Sequence, residues 1–388
     1  MIMDKYGLQT KLIHAGDPQP RIAGAVGVPI FQSTVFELVE GADYHDIRYP
    51  RLNNLPNHDA LGKKLAAIEG GEAALVTSSG MAAISATLLA LLAPGGHLLL
   101  LRGVYGGTHT FADGSFKRLG LSYDLIDGDA ADSWNTKLRQ ETKAIYVEAM
   151  TNPLLDVPDH RAVIAFARAH GLTAIIDNTF ATPVNFRPIE LGYDVVLHSG
   201  TKYLNGHSDL VAGAVIASSP CIRAIKHDLD HLGGCLDPHA CFLLARGLKT
   251  LALRVRAQNG SALALATALE AHRSVAKVRY PGLASHPQHA RARDLFGGCG
   301  GMLSFELHGG AAAAKALIER LVLPVHGPSL GGPETLITRP ARSSHAGLTA
   351  KERDELGIGD GLLRVSVGLE ESADLLADFG AALDALDH

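Results

Sequence analysis

From about residue 59 onward, short and almost wholly apolar runs alternate with stretches of helical spacing. This alternation limits the fold more than any other feature of the chain. The apolar runs fall at 73–76, 97–101, 144–148, 174–177, 195–198 and 211–217. Between them, 58–69 carries Leu61, Leu65 and Ile68 on one helical face, 81–92 reads as a second helix, and 162–170 is closed by Gly171. A strand with no polar face must be covered on both sides, which is the condition of a parallel sheet between two layers of helices. The expected class is therefore α/β, with a mostly parallel sheet.

At 388 residues the chain exceeds one ordinary core, so a second, smaller domain is expected. Residues 1–58 read as an extended arm, punctuated by Pro18, Pro20, Pro29, Pro50 and Pro56; such an arm packs on a neighbouring subunit or lines a site. Residues 59–250 form the sheet-bearing domain. Residues 251–388 form a C-terminal α+β domain. A long helical stretch over 241–272, interrupted near Asn259-Gly260, crosses between them. The remainder predicts strands at 275–280, 302–307, 321–325 and 363–367, and helices at 311–320 and 372–386.

Composition excludes several classes. A net charge of −5 without a basic run gives nucleic-acid binding no electrostatic support. The longest apolar stretch, 82–93, is too short to span a bilayer, and the first six residues lack the pattern of a signal peptide. Four cysteines show no CxxC pair. His227, His231, Cys235 and His239 recur every four residues, but Gly233-Gly234 and Pro238 interrupt the helix that would align them, so no metal site is expected. A cytoplasmic enzyme acting on a small molecule is the natural class.

The chemistry is concentrated at the ends of two apolar runs. One ends in Asp177-Asn-Thr179; the other leads into Ser199-Gly-Thr-Lys202. A lysine and an aspartate so placed are the parts of a pyridoxal phosphate site. The amine forms a Schiff base with the aldehyde, and the carboxylate keeps the pyridine nitrogen protonated, so that the ring accepts electrons. Nearby hydroxyls suit the phosphate. Ser78-Ser-Gly80-Met81 follows a strand and opens a helix, where glycine and the first helical amides admit an anion. Tyr105, before Gly106-Gly107, is an aromatic that can stack on a planar ring.

Together with Tyr49-Pro-Arg51, Glu69-Gly-Gly-Glu, residues 148–153, Ser329-Leu-Gly-Gly332 and Arg364-Val-Ser-Val-Gly-Leu-Glu370, these segments resemble the cystathionine/methionine-metabolism family of pyridoxal phosphate enzymes over nearly the whole chain. The resemblance implies the aminotransferase-like fold (fold type I), with a seven-stranded sheet in the cofactor domain. It also implies a homotetramer built as a dimer of dimers, with sites shared between subunits. By that resemblance Lys202, Tyr105 and Tyr49 are catalytic: Lys202 carries the cofactor and shuttles protons, and Tyr105 stacks on the ring. Asp177 pairs with the pyridine nitrogen, beside Thr179. Gly80, Met81, Ser199 and Thr201 hold the phosphate. Tyr49 and Arg51 arrive from the adjacent subunit. Arg364 clamps the substrate α-carboxylate, assisted by Asn152 and Ser329.

The implied activity is that of a carbon–sulfur lyase, cystathionine lyase-like or methionine γ-lyase-like, which releases ammonia and a 2-oxo acid. The alternative is a γ-replacement transferase such as cystathionine γ-synthase or an O-acyl-homoserine sulfhydrylase. This chain departs from the family pattern at Pro328, where γ-enzymes often carry glutamate, and at Thr110, where an arginine is common. It also departs at Gly107, where methionine γ-lyases typically carry cysteine, and in Asn54-Leu-Pro-Asn57 after the arm arginine.

Overall fold

The computed structural model describes residues 5–38, 40 and 47–386. The reading of the first six residues falls partly on 1–4, which lie outside the described residues. Seven strands build the main sheet: β1 (Ala73–Thr77), β2 (His97–Leu101), β3 (Ser122–Ile126), β4 (Thr142–Glu148), β5 (Thr173–Asp177), β6 (Val195–Ser199) and β7 (Gly213–Ala217). Their order is β1-β7-β6-β5-β4-β2-β3. Only β7 runs against its neighbours. Leu98, Leu99 and Leu100 of β2 and Ala144 to Val147 of β4 are fully buried, as strands covered on both faces must be.

The second sheet contains β8 (Val275–Arg279), β9 (Met302–Leu307), β10 (Val325–His326), β11 (Leu336–Thr338) and β12 (Leu363–Ser366), in the order β10-β11-β12-β9-β8. It packs on the helices Leu251–Glu270 and Ser372–Asp384 around a core of its own that includes Phe305 and Phe379. The α/β class and the large, mostly parallel sheet are as expected.

Several local expectations change. The crossing helix is one unbroken element through Asn259-Gly260, and the break falls at Lys249-Thr250 instead. The Asn259 side chain explains the tolerance: it exchanges hydrogen bonds with Asn185 and accepts the Gly300 amide, which fixes the helix where glycine would loosen it. The strand expected at 321–325 shrinks to Val325–His326, because the amides of Val322 and Leu323 donate to the Asp378 carboxylate rather than to a ladder.

His227 and His231 share one helical face, with ring centroids 4.8 Å apart. That helix ends at Gly233 in the left-handed conformation, and His239 lies on the next one. Among the described residues no helix is long and apolar enough to cross a membrane.

Candidate active site

Glu148, Asp177 and Ser199 are the last residues of β4, β5 and β6, three neighbouring parallel strands. The register sets Glu148 beside Asp177, so the carboxyl ends of the strands present a row of polar side chains to one cavity. The cavity holds about 920 Å³. That is near the top of the roughly 300–1,000 Å³ range of small-molecule sites. Lys202, Asp177, Thr179, Ser199, Thr201, Gly80, Met81, Tyr105, Asn152, Ser329 and Arg364 all line it.

Each group has a defined local environment. Lys202 Nζ donates to Ser329 Oγ at 2.6 Å. Burial, and then the positive charge of Arg364, pull its amine down to about 8. Asp177 Oδ1 accepts from the Thr179 amide at 2.9 Å and the Thr179 hydroxyl at 2.5 Å. Burial raises the Asp177 pKa, and those two bonds oppose the rise. The same Thr179 hydroxyl accepts the Ser199 amide at 2.8 Å, so it ties the end of β5 to the end of β6. Thr179 is therefore a residue that positions Asp177. The Thr201 hydroxyl is likewise committed, donating to Ala212 O at 3.2 Å.

The helix Gly80–Leu92 meets the strand ends at its amino terminus. Ser79 caps it by accepting the Ala82 amide at 3.0 Å. The amides of Gly80 and Met81 have no acceptor among the described residues. Position 80 must be glycine, since a Cβ there would stand 2.9 Å from Ser199 Cβ. On the opposite wall Arg364, in β12, is buried; Nη1 donates to Asn152 Oδ1 at 3.0 Å and Nη2 to Ser329 O at 3.2 Å. Burial lowers the Arg364 pKa to about 10, still charged at neutral pH, and its Nε is buried without an acceptor.

Tyr105 is 42% exposed, and its amide donates to Glu148 Oε1 at 2.6 Å. Burial, and then the Asp177 charge, hold the Glu148 pKa well above the usual carboxylate range. A Cβ on Gly107 would lie 2.5 Å from Tyr105 Cε1, so a cysteine there would displace the tyrosine ring.

Tyr49 and Arg51 do not line the cavity of their own chain. They flank and occupy the turn Pro50–Leu52, where Arg51 Nη1 donates to Asp230 O at 2.9 Å and its guanidinium sits 5.5 Å from the Tyr49 ring centre. Thr110 also lies outside the cavity, whereas Pro328 lines it. Three further lining residues, Glu148, His326 and Arg342, were not singled out by sequence reasoning. For Arg342 the available signal was a polar run with two arginines, Thr338-Arg-Pro-Ala-Arg-Ser-Ser344, following a short strand.

The model of the Cys/Met metabolism PLP-dependent enzyme family matches residues 9–384. This chain belongs to that family. It is 43% identical to a cystathionine β-lyase of Lactococcus lactis over 97% of this chain and 99% of the relative. It is 41% identical to a cystathionine γ-lyase of Bacillus subtilis over 97% and 99%. The structure of a cystathionine γ-synthase from Xanthomonas oryzae in complex with cystathionine superposes with a TM-score of 0.94, at 39% identity over 98% of this chain and 99% of that one.

As a member of this family the chain is a pyridoxal phosphate-dependent enzyme with the fold those relatives share. The residues present fit the cofactor. Two unpaired amides at a helix amino terminus suit its phosphate. Asp177 has one oxygen bonded by Thr179 and faces the cavity from a buried strand end, which suits a pyridinium nitrogen. The orphaned Nε of Arg364 suits a substrate carboxylate.

Proposed function

We propose that this chain is a carbon–sulfur lyase acting on a sulfur amino acid. In the overall reaction the thioether and one water yield a thiol, ammonia and a 2-oxo acid. The observation that carries this reading is the placement of Lys202 and Arg364 in one cavity, both bonded to Ser329, over the strand end that bears Asp177. Bound pyridoxal phosphate supplies an electron sink to the carbon that loses its proton. Arg364 holds the α-carboxylate in a bidentate fork and so orients that carbon toward Lys202. Lys202, whose amine is down to about 8, takes up the α-proton and passes a proton to the departing sulfur near neutral pH. Asp177 stays ionised against a pyridinium, whose charge outweighs the cost of burial.

Gly80, Met81, Ser199 and Thr201 hold the phosphate, and the Thr201 hydroxyl also ties the segment after β6 to Ala212. Tyr105 stacks on the ring, Asn152 steadies Arg364, and Ser329 steadies Lys202. Tyr49 and Arg51 act in the neighbouring subunit's cavity, within a cytoplasmic homotetramer; their absence from their own cavity supports this. We divide the chain into the arm 1–58, the cofactor domain 59–250 and the C-terminal domain 251–388. The likeness to a γ-synthase structure supports a second reading, γ-replacement, in which a thiol adds in place of water.

A panel of sulfur amino acids, assayed for ammonia, free thiol and the identity of the 2-oxo acid, tests the lyase reading. Pyruvate indicates β-cleavage and 2-oxobutyrate γ-cleavage. No 2-oxo acid from any member, together with thioether formation from an activated homoserine ester and a thiol, would replace the lyase by the transferase.

A further inference from the structure

Residues 53–57, just after the arm arginine, hold three asparagines: Asn53, Asn54 and Asn57. Each side-chain amide donates to one backbone carbonyl and accepts from one backbone amide. Asn54 Nδ2 donates to Ile47 O at 2.7 Å and Oδ1 accepts the Tyr49 amide at 3.0 Å, which closes the arm turn on itself. Asn57 bonds in the same way to Pro29 O and to the Phe31 amide, both at 2.9 Å, and so fixes the extended part of the arm. Asn53 instead reaches out of the arm. Its Nδ2 donates to Val76 O at 2.9 Å, and its Oδ1 accepts the Leu236 amide at 3.2 Å. Asn53 is buried and ends the turn Pro50–Leu52 in the left-handed conformation at φ +47°, which asparagine adopts more readily than most residues.

Both contacts of Asn53 lead to the phosphate end of the cavity. Val76 lies in β1, an edge strand of the main sheet that runs directly into Ser78, Ser79 and Gly80. Leu236 lies in the segment whose Gly234 O accepts the Ser78 amide at 2.8 Å. One side chain thus braces the approach to the phosphate turn from two directions. The arm turn on its other side is equally well held. Lys226 Nζ donates to Leu52 O and to the Asp230 carboxylate, and Asp230 O accepts from Arg51 Nη1. Resting on the assignment of Tyr49 and Arg51 to the neighbouring cavity, we propose that Asn53 is a positioning residue for two cofactor sites. In its own chain it steadies the turn at 78–80, and through the arm turn it sets Tyr49 and Arg51 for the neighbour. A buried amide with donor and acceptor both used couples the groups it joins, so the two turns are held in one register.

Asn53→Gly keeps the left-handed backbone and deletes the amide. Titration of the cofactor-free variant with pyridoxal phosphate, read by absorbance, should give a dissociation constant raised about 10-fold over wild type, the effect of two lost hydrogen bonds. An unchanged constant overturns the proposal. Subunit mixing then separates the two roles. Lys202→Ala chains lack a working cavity and Arg51→Ala chains a working arm, so after exchange an active site pairs an Arg51→Ala cavity with a Lys202→Ala arm. Asn53→Gly is added to one partner or the other, and the pyridoxal phosphate concentration that restores half of the activity is measured. Each placement should raise that concentration. A rise in only one partner overturns the double role. Asn57→Ala in the arm-donating partner breaks an equivalent pair of bonds away from both turns and should leave the concentration unaltered; an equal rise there would replace Asn53 by general loosening of the arm. A parent mixture that stays inactive after verified exchange removes the assignment of the arm to the neighbour, and with it the second role of Asn53, while the titration still decides the first.

Discussion

Lys202, which follows β6 of the main sheet, and Ser329 in the segment between β10 and β11 meet at 2.6 Å, so this bond joins the two halves of the cavity alongside that from Arg364 to Asn152. Ser329 adopts φ +89°, a left-handed conformation that a side chain disfavours. Its carbonyl at the same time accepts from Arg364. One strained residue thus sets the amine that would move the proton and the guanidinium that would hold the substrate.

Replacing Ser329 separates these contributions. Ser329→Ala and Ser329→Gly both remove the partner of Lys202, and kcat/KM should fall about 10-fold or more in each, the effect of one lost bond to a charged group. Glycine also relieves the backbone. Equilibrium urea unfolding should place the glycine variant about 1 kcal/mol above the alanine variant. Equal stabilities would mean that the conformation costs nothing, and unaltered kcat/KM would mean that Lys202 needs no such support.

The depressed pKa of Lys202 gives a pH profile with a definite sign. Only the neutral amine attacks an aldehyde, and a lowered pKa makes it neutral at lower pH. Capture of added pyridoxal phosphate by the cofactor-free protein should therefore accelerate with pH and level off above about 8. An ordinary lysine would still be climbing toward about 10.4. Arg364→Gln removes the second cause of the depression and should move the midpoint upward. Stopped-flow absorbance across pH 6–10.5 measures both. A wild-type midpoint near 10 contradicts the assignment.

Much of this was legible in the sequence because most main-sheet strands carry a continuous apolar run along their middles. The exception is β3, which went unseen. Four of its five residues are only partly buried, and Asp124 within it pairs with Arg139, so it resembles a polar loop. Short β11 was missed for lack of length. At the site, Lys202 and Asp177 were visible because each ends an apolar run. The double role of Thr179, bonded to both Asp177 and Ser199, depends on how β5 and β6 lie side by side, and no spacing in the chain encodes that. Arg342 escaped notice because a surface arginine and a cavity arginine look alike until the second sheet folds over the first.

The arm offers a test of assembly. Arg51 reaches away from its own cavity to Asp230 O, and Tyr49 stands 40% exposed. If both serve a neighbour, Lys202→Ala and Arg51→Ala subunits, each inactive alone, should regain activity when mixed and allowed to exchange. A one-to-one mixture of freely exchanging dimers should recover about a quarter of the wild-type activity, since half the dimers are mixed and each has one intact site. Verified exchange without recovery would confine each site to a single chain.

The central claim, that Lys202 in this cavity is the residue bearing the cofactor, is tested most directly by borohydride reduction of the purified holoenzyme followed by peptide mass mapping. The account predicts one pyridoxyl group per chain, on the peptide containing Ser199-Gly-Thr-Lys202, and no labelling of Lys202→Ala under the same conditions. A pyridoxyl group on any other lysine of the wild-type protein, or undiminished labelling of the variant, would contradict it.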